Sequence, residues 1–253
     1  MYKIIILLLL VKNLLYSFDD DFDGVENIND KCLNTSFLDT VGNDGCPNDR
    51  LYLGNISIEY EYLVQNTSLD KSYIKSIYFD IDYKKLIFSF SKSYYEINSI
   101  DYIGDDYISI GYDFYHNSFS NKLYLGIKKA NKSSDISTNI DDYFTNTAFY
   151  YNYNSNLSFD MFLQYNLVQN NNISEYADYV NYSIGSSFNI NNFKTGISYI
   201  NSGSTDEFIN VYKTIKLSFQ YNISNDFYSS INYNKSIVNE DNDISCNIGY
   251  MYD

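Results

Sequence analysis

The sequence lacks most of the residue patterns that catalytic and nucleic-acid-binding sites use. Its 253 residues include a single histidine, His116, and contain no glycine-rich phosphate loop, zinc-ligand spacing or nucleophile motif. There is no basic run, and the formal net charge is −15 at pH 7, whereas contacts to phosphates need clustered Lys and Arg. We therefore expect neither nucleic-acid binding nor enzymatic activity, and we predict no catalytic residue.

Long apolar runs are also absent. The first 17 residues, MYKIIILLLLVKNLLYS, place one Lys before an apolar run from Ile4 to Val11 and end on the small residue Ser17. A run of about 8 residues is too short to span a bilayer and is typical of a secretory signal peptide, which we predict for residues 1–17. No later segment approaches the roughly 18 apolar residues of a transmembrane helix. The chain is therefore expected to be exported.

Proline and tryptophan are nearly missing, since the chain has one Pro and no Trp, but it has 30 Tyr and 17 Phe. An AT-rich genome could raise the abundance of Tyr, Ile and Asn, but it does not explain their order. From Leu51 onward, apolar residues recur at every second position, as in Leu157-Phe159-Met161-Leu163-Tyr165-Leu167. This period predicts strands with one apolar face.

Twelve such segments are visible, with 10 to 14 as the range that the pattern allows. They are 56–64, 77–83, 85–95, 106–116, 121–130, 143–154, 157–168, 178–190, 193–201, 208–223, 227–238 and 243–252. Most approach the length of about 9–11 residues that a tilted strand needs to cross a bilayer, whereas strands of soluble proteins average about 5–6. The sequence therefore predicts an all-β protein in which residues 51–253 form an antiparallel, up-and-down transmembrane barrel.

The connections between these segments alternate in length. Short turns fall near 83–84, 117–120, 155–156, 191–192 and 224–226, and longer links at 65–72, 96–105, 131–142, 169–177, 202–207 and 239–242. Outer-membrane barrels alternate short periplasmic turns with longer external loops in this way. The last segment, with apolar residues alternating from Ile244 to Tyr252, resembles the terminal strand of Gram-negative outer-membrane, porin-like barrels. That resemblance implies a bacterial outer-membrane location. Five short turns and six longer loops close a twelve-stranded barrel with both of its chain ends in the periplasm, and this topology also predicts a periplasmic N-terminal segment.

An acidic segment precedes the barrel. In residues 19–32, DDDFDGVENINDKC, six residues occupy the positions 1, 3, 5, 7, 9 and 12 of an oxygen-only calcium loop: Asp19, Asp21, Asp23, Val25 (through its backbone carbonyl), Asn27 and Asp30. Gly24 at position 6 allows the sharp turn. The spacing predicts a bound Ca²⁺, and the alternative is a solvated acidic linker.

This segment also resembles a known calcium-binding module. The pattern DxDxDGVxNxxDxC, continued by VGNDGCP at 41–47, is similar to a thrombospondin type 3 repeat and defines a segment over 18–50. Cys32 and Cys46 lie close together in an exported chain, which favours a disulfide and leaves Cys246 free. The resemblance implies the same pairing, and it implies a periplasmic linker beside an outer-membrane barrel.

The alternation divides the charged residues of the barrel between its two faces. Nine are predicted to line the lumen: Glu59, Glu61, Asp80, Asp113, Asp160, Lys122, Lys128, Lys194 and Lys216. Five lysines are predicted to face outward near the external strand ends, where they could contact lipid and lipopolysaccharide: Lys75, Lys92, Lys129, Lys213 and Lys235. His116 lies beside a predicted periplasmic turn, away from the external side where barrel enzymes carry their catalytic groups.

Three hypotheses follow. The leading one is a non-enzymatic, narrow channel for ions or small polar solutes with a calcium-binding periplasmic head, because a polar charged lining can bound a water-filled pore. The second is a structural or surface-interaction barrel whose lumen is plugged by the same side chains. The third is a secreted calcium-dependent β-sandwich adhesin, which differs from the other two in being soluble without detergent.

Overall fold

A computed structural model describes most of the chain after the predicted signal peptide. The described residues are 19, 21, 23–35, 39, 41–42, 44–47, 55–66, 71–116, 118–131, 140–169, 178–203, 212–238 and 241–252. The predicted signal peptide over 1–17 lies outside them. The chain divides into two compact units, one formed by Met1–Leu53 with Tyr83–Lys85, and the other by Gly54–Asp82 with Leu86–Asp253.

The second unit is built from twelve strands. They are β1 Ile56–Asn66, β2 Lys71–Tyr83, β3 Leu86–Ile97, β4 Ile100–His116, β5 Phe119–Lys129, β6 Asp142–Asn152, β7 Leu157–Leu167, β8 Tyr179–Ile190, β9 Phe193–Ser202, β10 Tyr212–Asn222, β11 Phe227–Ser236 and β12 Asn242–Tyr252. Each strand pairs with its neighbours in sequence, and β1 pairs antiparallel with β12, from Ile56 with Tyr252 to Asn66 with Asn242. The predicted fold class, a closed antiparallel barrel of twelve strands, is confirmed.

The short connections lie at the end of the barrel that carries both its first and its last residue. Five connections there have two to four residues, at 84–85, 117–118, 153–156, 191–192 and 223–226. We call this the terminal end and the other the opposite end. Lys84 and Asn191 have positive φ angles of 56° and 53°, which is the left-handed conformation that tight hairpin turns require.

One predicted link is wrong. Residues 96–105 are not a long loop, because β3 continues to Ile97 and β4 begins at Ile100. Asn98 and Ser99 between them both have positive φ, 51° and 64°, as a two-residue hairpin turn needs. The register shifts between Lys92 and Tyr94, and such a bulge breaks the period-2 pattern that sequence reading depends on.

The barrel is apolar outside and polar inside. Large apolar side chains with substantial exposure include Ile58, Ile110, Leu125, Ile184 and Phe219, and all alternate with half-buried polar residues on their strands. Among the described residues only four apolar side chains are buried, namely Ile87, Ala130, Phe144 and Ala148. A soluble protein places its apolar residues in the reverse way. No helix in the described part of the chain is long and apolar enough to cross a membrane.

The first unit is held by a cross-link and a few backbone contacts. Cys32 and Cys46 form a disulfide, as predicted, and Cys246 is free and exposed. The hydroxyl of Thr35 donates to the backbone carbonyls of Cys32 and Gly45, at 2.8 and 2.9 Å. These contacts connect the two halves of the acidic segment across the disulfide.

Introducing a charged residue on the outer face by mutation tests whether that face contacts lipid. Ile184 is 56% exposed in the middle of β8, and its neighbour Ser183 is half-buried on the opposite face of the strand. We expect Ile184→Lys to lower the free energy of unfolding by about 2–4 kcal/mol, the cost of Lys at a bilayer midplane. Urea titration of the barrel in lipid vesicles measures this value. Ser183→Lys is the matched control, and an equal loss from both substitutions would contradict a lipid-facing Ile184.

Candidate functional site

The acidic segment gathers its carboxylates as the spacing predicted. Oxygen atoms of Asp19, Asp21 and Asp23 lie within 4.8 Å of one another. Gly24 has a φ of 98°, which glycine adopts without strain, and this turn brings the chain back toward the preceding carboxylates. Asp23 is 1% exposed and Asp30 9% exposed, so these carboxylates are not on a solvated linker.

Each carboxylate of this segment is oriented by one backbone amide. The N–H groups of Gly24, Thr35, Val25 and Cys32 donate to Asp19, Asp21, Asp23 and Asp30 respectively, at 2.6 to 2.9 Å. The second oxygens of Asp21, Asp23 and Asp30 are buried and accept no hydrogen bond. Unpaired buried carboxylate oxygens are costly, and a bound cation would satisfy them together.

The electrostatics of the segment favour a bound cation. Burial raises the pKa of the Asp23 carboxyl to about 6, the nearby carboxylates of Asp21, Asp30 and Asp19 add to this, and the hydrogen bond from the Val25 N–H opposes it. A hard divalent cation among these oxygens would favour their charged forms. The residues present therefore fit a metal site, whereas the roles of Val25 and Asn27 as ligands stay predictions.

Sequence reasoning missed Lys85, which belongs to the same compact unit. Its buried ammonium donates to the backbone carbonyl of Asp23 at 2.6 Å. Burial lowers the pKa of this ammonium, while the carboxylates of Asp23, Asp19 and Asp21 raise it. Lys85 is 62 residues from Asp23 in the chain, and no local spacing relates the two.

The barrel lumen holds the second candidate site, a cavity of about 310 Å³. Four of the nine predicted luminal residues line it: Glu59, Asp160, Lys194 and Lys216. Most of the other lining residues are neutral and polar, including Ser198, Ser218, Ser230, Gln220, Asn232 and Asn247. The cavity is therefore a hydrogen-bonding surface lined by β1 and β7–β12.

Glu59 is fully engaged on one wall of the cavity. Its carboxylate accepts a short hydrogen bond from the hydroxyl of Tyr228 and one of 2.6 Å from the side-chain amide of Asn247. Gly249 makes this possible, because a Cβ at that position would overlap the ring of Tyr228. Each carboxylate oxygen of Glu59 thus accepts one hydrogen bond within the wall, while the side chain still lines the cavity with its negative charge.

The other five predicted luminal residues lie in separate clusters. Glu61 accepts from the hydroxyl of Tyr78 at 2.9 Å, and Asp80 accepts from Ser57 at 3.4 Å. The remaining three form ion pairs: Asp113 with Lys122 at 3.8 Å, and Lys128 with both Asp105 and Asp142. The structure therefore brings together four of the nine residues and ties the other five into the wall.

An aromatic cluster fills part of the lumen, and sequence reasoning missed it. The rings of Tyr107 and Phe144 lie 6.3 Å apart, and Phe144 is buried. Phe144 lies over Gly126, where a Cβ would overlap its ring, and Tyr124 lies similarly over Gly111. The sequence signal that could have predicted this cluster is a glycine paired with an aromatic residue on the neighbouring strand.

The outward lysines fall into two groups. Lys75, Lys129, Lys213 and Lys235 are exposed in the halves of their strands that lead to the opposite end. Lys92 is half-buried, and its ammonium lies 2.5 Å from the carboxylate of Asp106 on β4. Lys92 was predicted to contact lipid and lipopolysaccharide, but its charge is used in this ion pair with Asp106.

Comparison with known proteins identifies the fold. No family model and no curated protein matches the sequence. Among solved structures, an outer-membrane channel from Pseudomonas putida F1 matches with a TM-score of 0.65 and 8% identity, over 82% of this chain and 99% of that chain. The KdgM porin in complex with disordered oligogalacturonate matches with a TM-score of 0.55 and 11% identity, over 78% and 99%.

These likenesses show the fold alone, which is that of outer-membrane β-barrels. Together with the apolar outer face they support the bacterial outer membrane as the location of this barrel. None of the matches supports the resemblance to a thrombospondin type 3 repeat, which stays a prediction from the sequence motif.

The ion pairs of Lys128 are expected to stabilise the barrel more than the ion pair of Lys122 does. Lys128, Asp105 and Asp142 all have less than 15% side-chain exposure, whereas Lys122 and Asp113 are each more than a quarter exposed. Lys128→Met should lower the free energy of unfolding by about 3 kcal/mol, because it leaves two buried carboxylates unpaired. Lys122→Met, the control, should cost at most about 1 kcal/mol. Urea unfolding in vesicles compares them, and equal losses would contradict this difference.

Proposed function

We propose that the protein is a non-enzymatic outer-membrane barrel that acts as a narrow channel for ions or small polar solutes. The observation that carries this proposal is the polar cavity of about 310 Å³ inside the closed barrel. Lys194, Lys216 and Asp160 line it without an ion pair or side-chain hydrogen bond among the described residues. Side chains that are not used to hold the wall together are available to water and solutes.

The orientation in the membrane follows from the connections. The terminal end has the short turns, which are periplasmic in outer-membrane barrels. The N-terminal segment precedes β1 at that end, and we therefore assign it to the periplasm. Exposed Lys75, Lys129, Lys213 and Lys235 then lie toward the external surface, where they would bind the phosphates of lipopolysaccharide.

A specific observation also favours the second candidate function, a structural barrel with a plugged lumen. Phe144 and Tyr107 project into the lumen near the ion pairs of Lys128. These side chains narrow the β4–β6 side of the barrel, whereas the cavity lies on the side of β1 and β7–β12. The two functions therefore differ in whether the cavity continues through the barrel as a water-filled path.

Conductance separates these two functions. We expect the purified protein, refolded in detergent, to produce discrete conductance steps in a planar bilayer. Phe144→Ala should increase the step size because it widens the narrow side of the lumen, and Phe219→Ala, on the exposed outer face, should not change it. If only Phe144→Ala conducts, the lumen of the natural protein is plugged and the channel proposal fails.

We further propose that the acidic segment binds Ca²⁺. Asp21, Asp23 and Asp30 each present one buried, unpaired oxygen and one oxygen oriented by a backbone amide, and Asp19 lies beside Asp21 and Asp23. Four carboxylates in an irregular loop suit Ca²⁺, which accepts six to eight oxygens in variable geometry, better than Mg²⁺, which needs near-ideal octahedral geometry. Bound calcium would neutralise the charges of these carboxylates and would make the acidic segment more rigid.

Calcium binding is testable by titration calorimetry on the whole, oxidised protein in detergent. We expect one Ca²⁺ per chain, and Asp23→Asn or Asp30→Asn should weaken binding at least about tenfold because each removes a charged ligand. Asp44→Asn is the matched control, since Asp44 is exposed and contacts Lys31 at 3.5 Å. Absence of binding at millimolar calcium would reject the site.

A further inference from the structure

We infer that the lumen selects cations over anions, because among the residues that the structure describes its carboxylates outnumber its ammonium groups. Cations are thus the class of solute that the proposed channel would conduct, and the inference rests on that proposed function. The selection comes from the charge along the lumen and does not require a ligand to bind in the cavity.

The lysines on the β4–β6 side of the lumen are compensated by carboxylates. Lys122 on β5 forms an ion pair with Asp113 on β4, at 3.8 Å. Lys128 on β5 forms ion pairs with two carboxylates, those of Asp105 and Asp142. Three carboxylates therefore surround two ammonium groups, and this part of the wall has no positive charge in excess.

The cavity on the other side of the lumen is balanced in charge. Two ammonium groups, those of Lys194 and Lys216, and two carboxylates, those of Glu59 and Asp160, line it. The carboxylate of Asp160 also interacts electrostatically with both lysines. None of the four luminal lysines is thus without a nearby carboxylate.

Three further luminal carboxylates have no lysine to compensate them. Glu61, Asp80 and Asp82 form no ion pair within the part of the chain that the structure describes. Glu61 accepts a hydrogen bond from the hydroxyl of Tyr78, and Asp80 accepts one from the hydroxyl of Ser57. Because a hydroxyl donor is neutral, these hydrogen bonds orient the carboxylates without cancelling their charge.

The excess of negative charge is concentrated between β2 and β4, near the terminal end. The carboxylate of Asp82 is repelled by those of Asp80 and Asp113. Lys122 attracts Asp82, but the ammonium group of Lys122 also forms the ion pair with Asp113. Three carboxylates therefore surround a single ammonium group in this half of the lumen.

An excess of one charge sign inside a narrow lumen discriminates between permeating ions. The barrel wall and the surrounding lipid have a low dielectric constant, and such walls concentrate the electric field of the charges in the water between them. The field of the carboxylates raises the local concentration of cations and lowers that of anions. Inward-facing Asp and Glu side chains are the groups that select cations in other channels.

The test is the reversal potential of the folded, full-length protein in a planar bilayer that separates two KCl solutions of different concentration. At about 0.1 M salt the Debye length is about 10 Å. We expect K⁺ to be about sevenfold more permeant than Cl⁻ there, which corresponds to a luminal potential of about RT per unit charge. At about 1 M salt the Debye length is about 3 Å, and the ratio should approach one because counterions screen the carboxylates.

Two variants of neighbouring residues should change this ratio in opposite directions. Asp82→Asn removes a negative charge and should lower the ratio about twofold, whereas Lys122→Met removes a positive charge and should raise it about twofold. Opposite shifts cannot both result from misfolding. The matched controls are Asp106→Asn and Lys213→Gln, which remove the same charges from the outer face and should leave the ratio unchanged.

The outcomes separate this inference from the channel proposal. A permeability of Cl⁻ equal to or above that of K⁺, or a ratio that neither luminal variant changes, would overturn the inference. Either result leaves the channel in place, because the protein then conducts. Absence of any conductance would reject the channel and its cation selectivity together.

Discussion

The pairing of β1 with β12 is the interaction on which the rest of the barrel depends. A bilayer offers no water to the backbone, so every N–H and C=O group of a membrane strand must be paired within the protein. The ladder from Ile56–Tyr252 to Asn66–Asn242 joins the first and last strands and leaves no open edge. Closure also encloses a lumen, and the polar half of each alternating strand faces this lumen.

Enclosure divides the luminal side chains into those that hold the wall and those that face a cavity. Lys128 on β5 forms ion pairs with Asp105 on β4 and Asp142 on β6. Its ammonium therefore stabilises the wall and is not available to a solute. Lys194 and Lys216 line the other side, where small Ser and Gly residues leave room. The aromatic side chains and the cavity thus occupy different parts of one lumen.

The acidic segment obeys a different constraint, because its polar groups are buried in a unit too small to have a large core. The disulfide between Cys32 and Cys46 closes the segment, and backbone amides orient the carboxylates of Asp21, Asp23 and Asp30 while leaving one oxygen of each unpaired. Such preorganisation reduces the conformational entropy that a cation must overcome on binding. Lys85 contributes a nearby positive charge, which offsets part of the repulsion among the carboxylates.

The amino-acid sequence by itself determined the twelve strands, the closed antiparallel class and the Cys32–Cys46 disulfide. Period-2 alternation is a local property of the chain, and the two cysteines are only 14 residues apart. It failed at 96–105, where a tight turn at Asn98–Ser99 and a bulge interrupt the period. Only the tertiary structure decided that Lys128 is ion-paired, whereas Lys216 has no ion pair among the residues that the structure describes. The physical reason is that ion pairs, the packing of rings over glycines and the cavity all depend on how strands pair and on side-chain volume across the lumen. The period of a single strand contains neither kind of information.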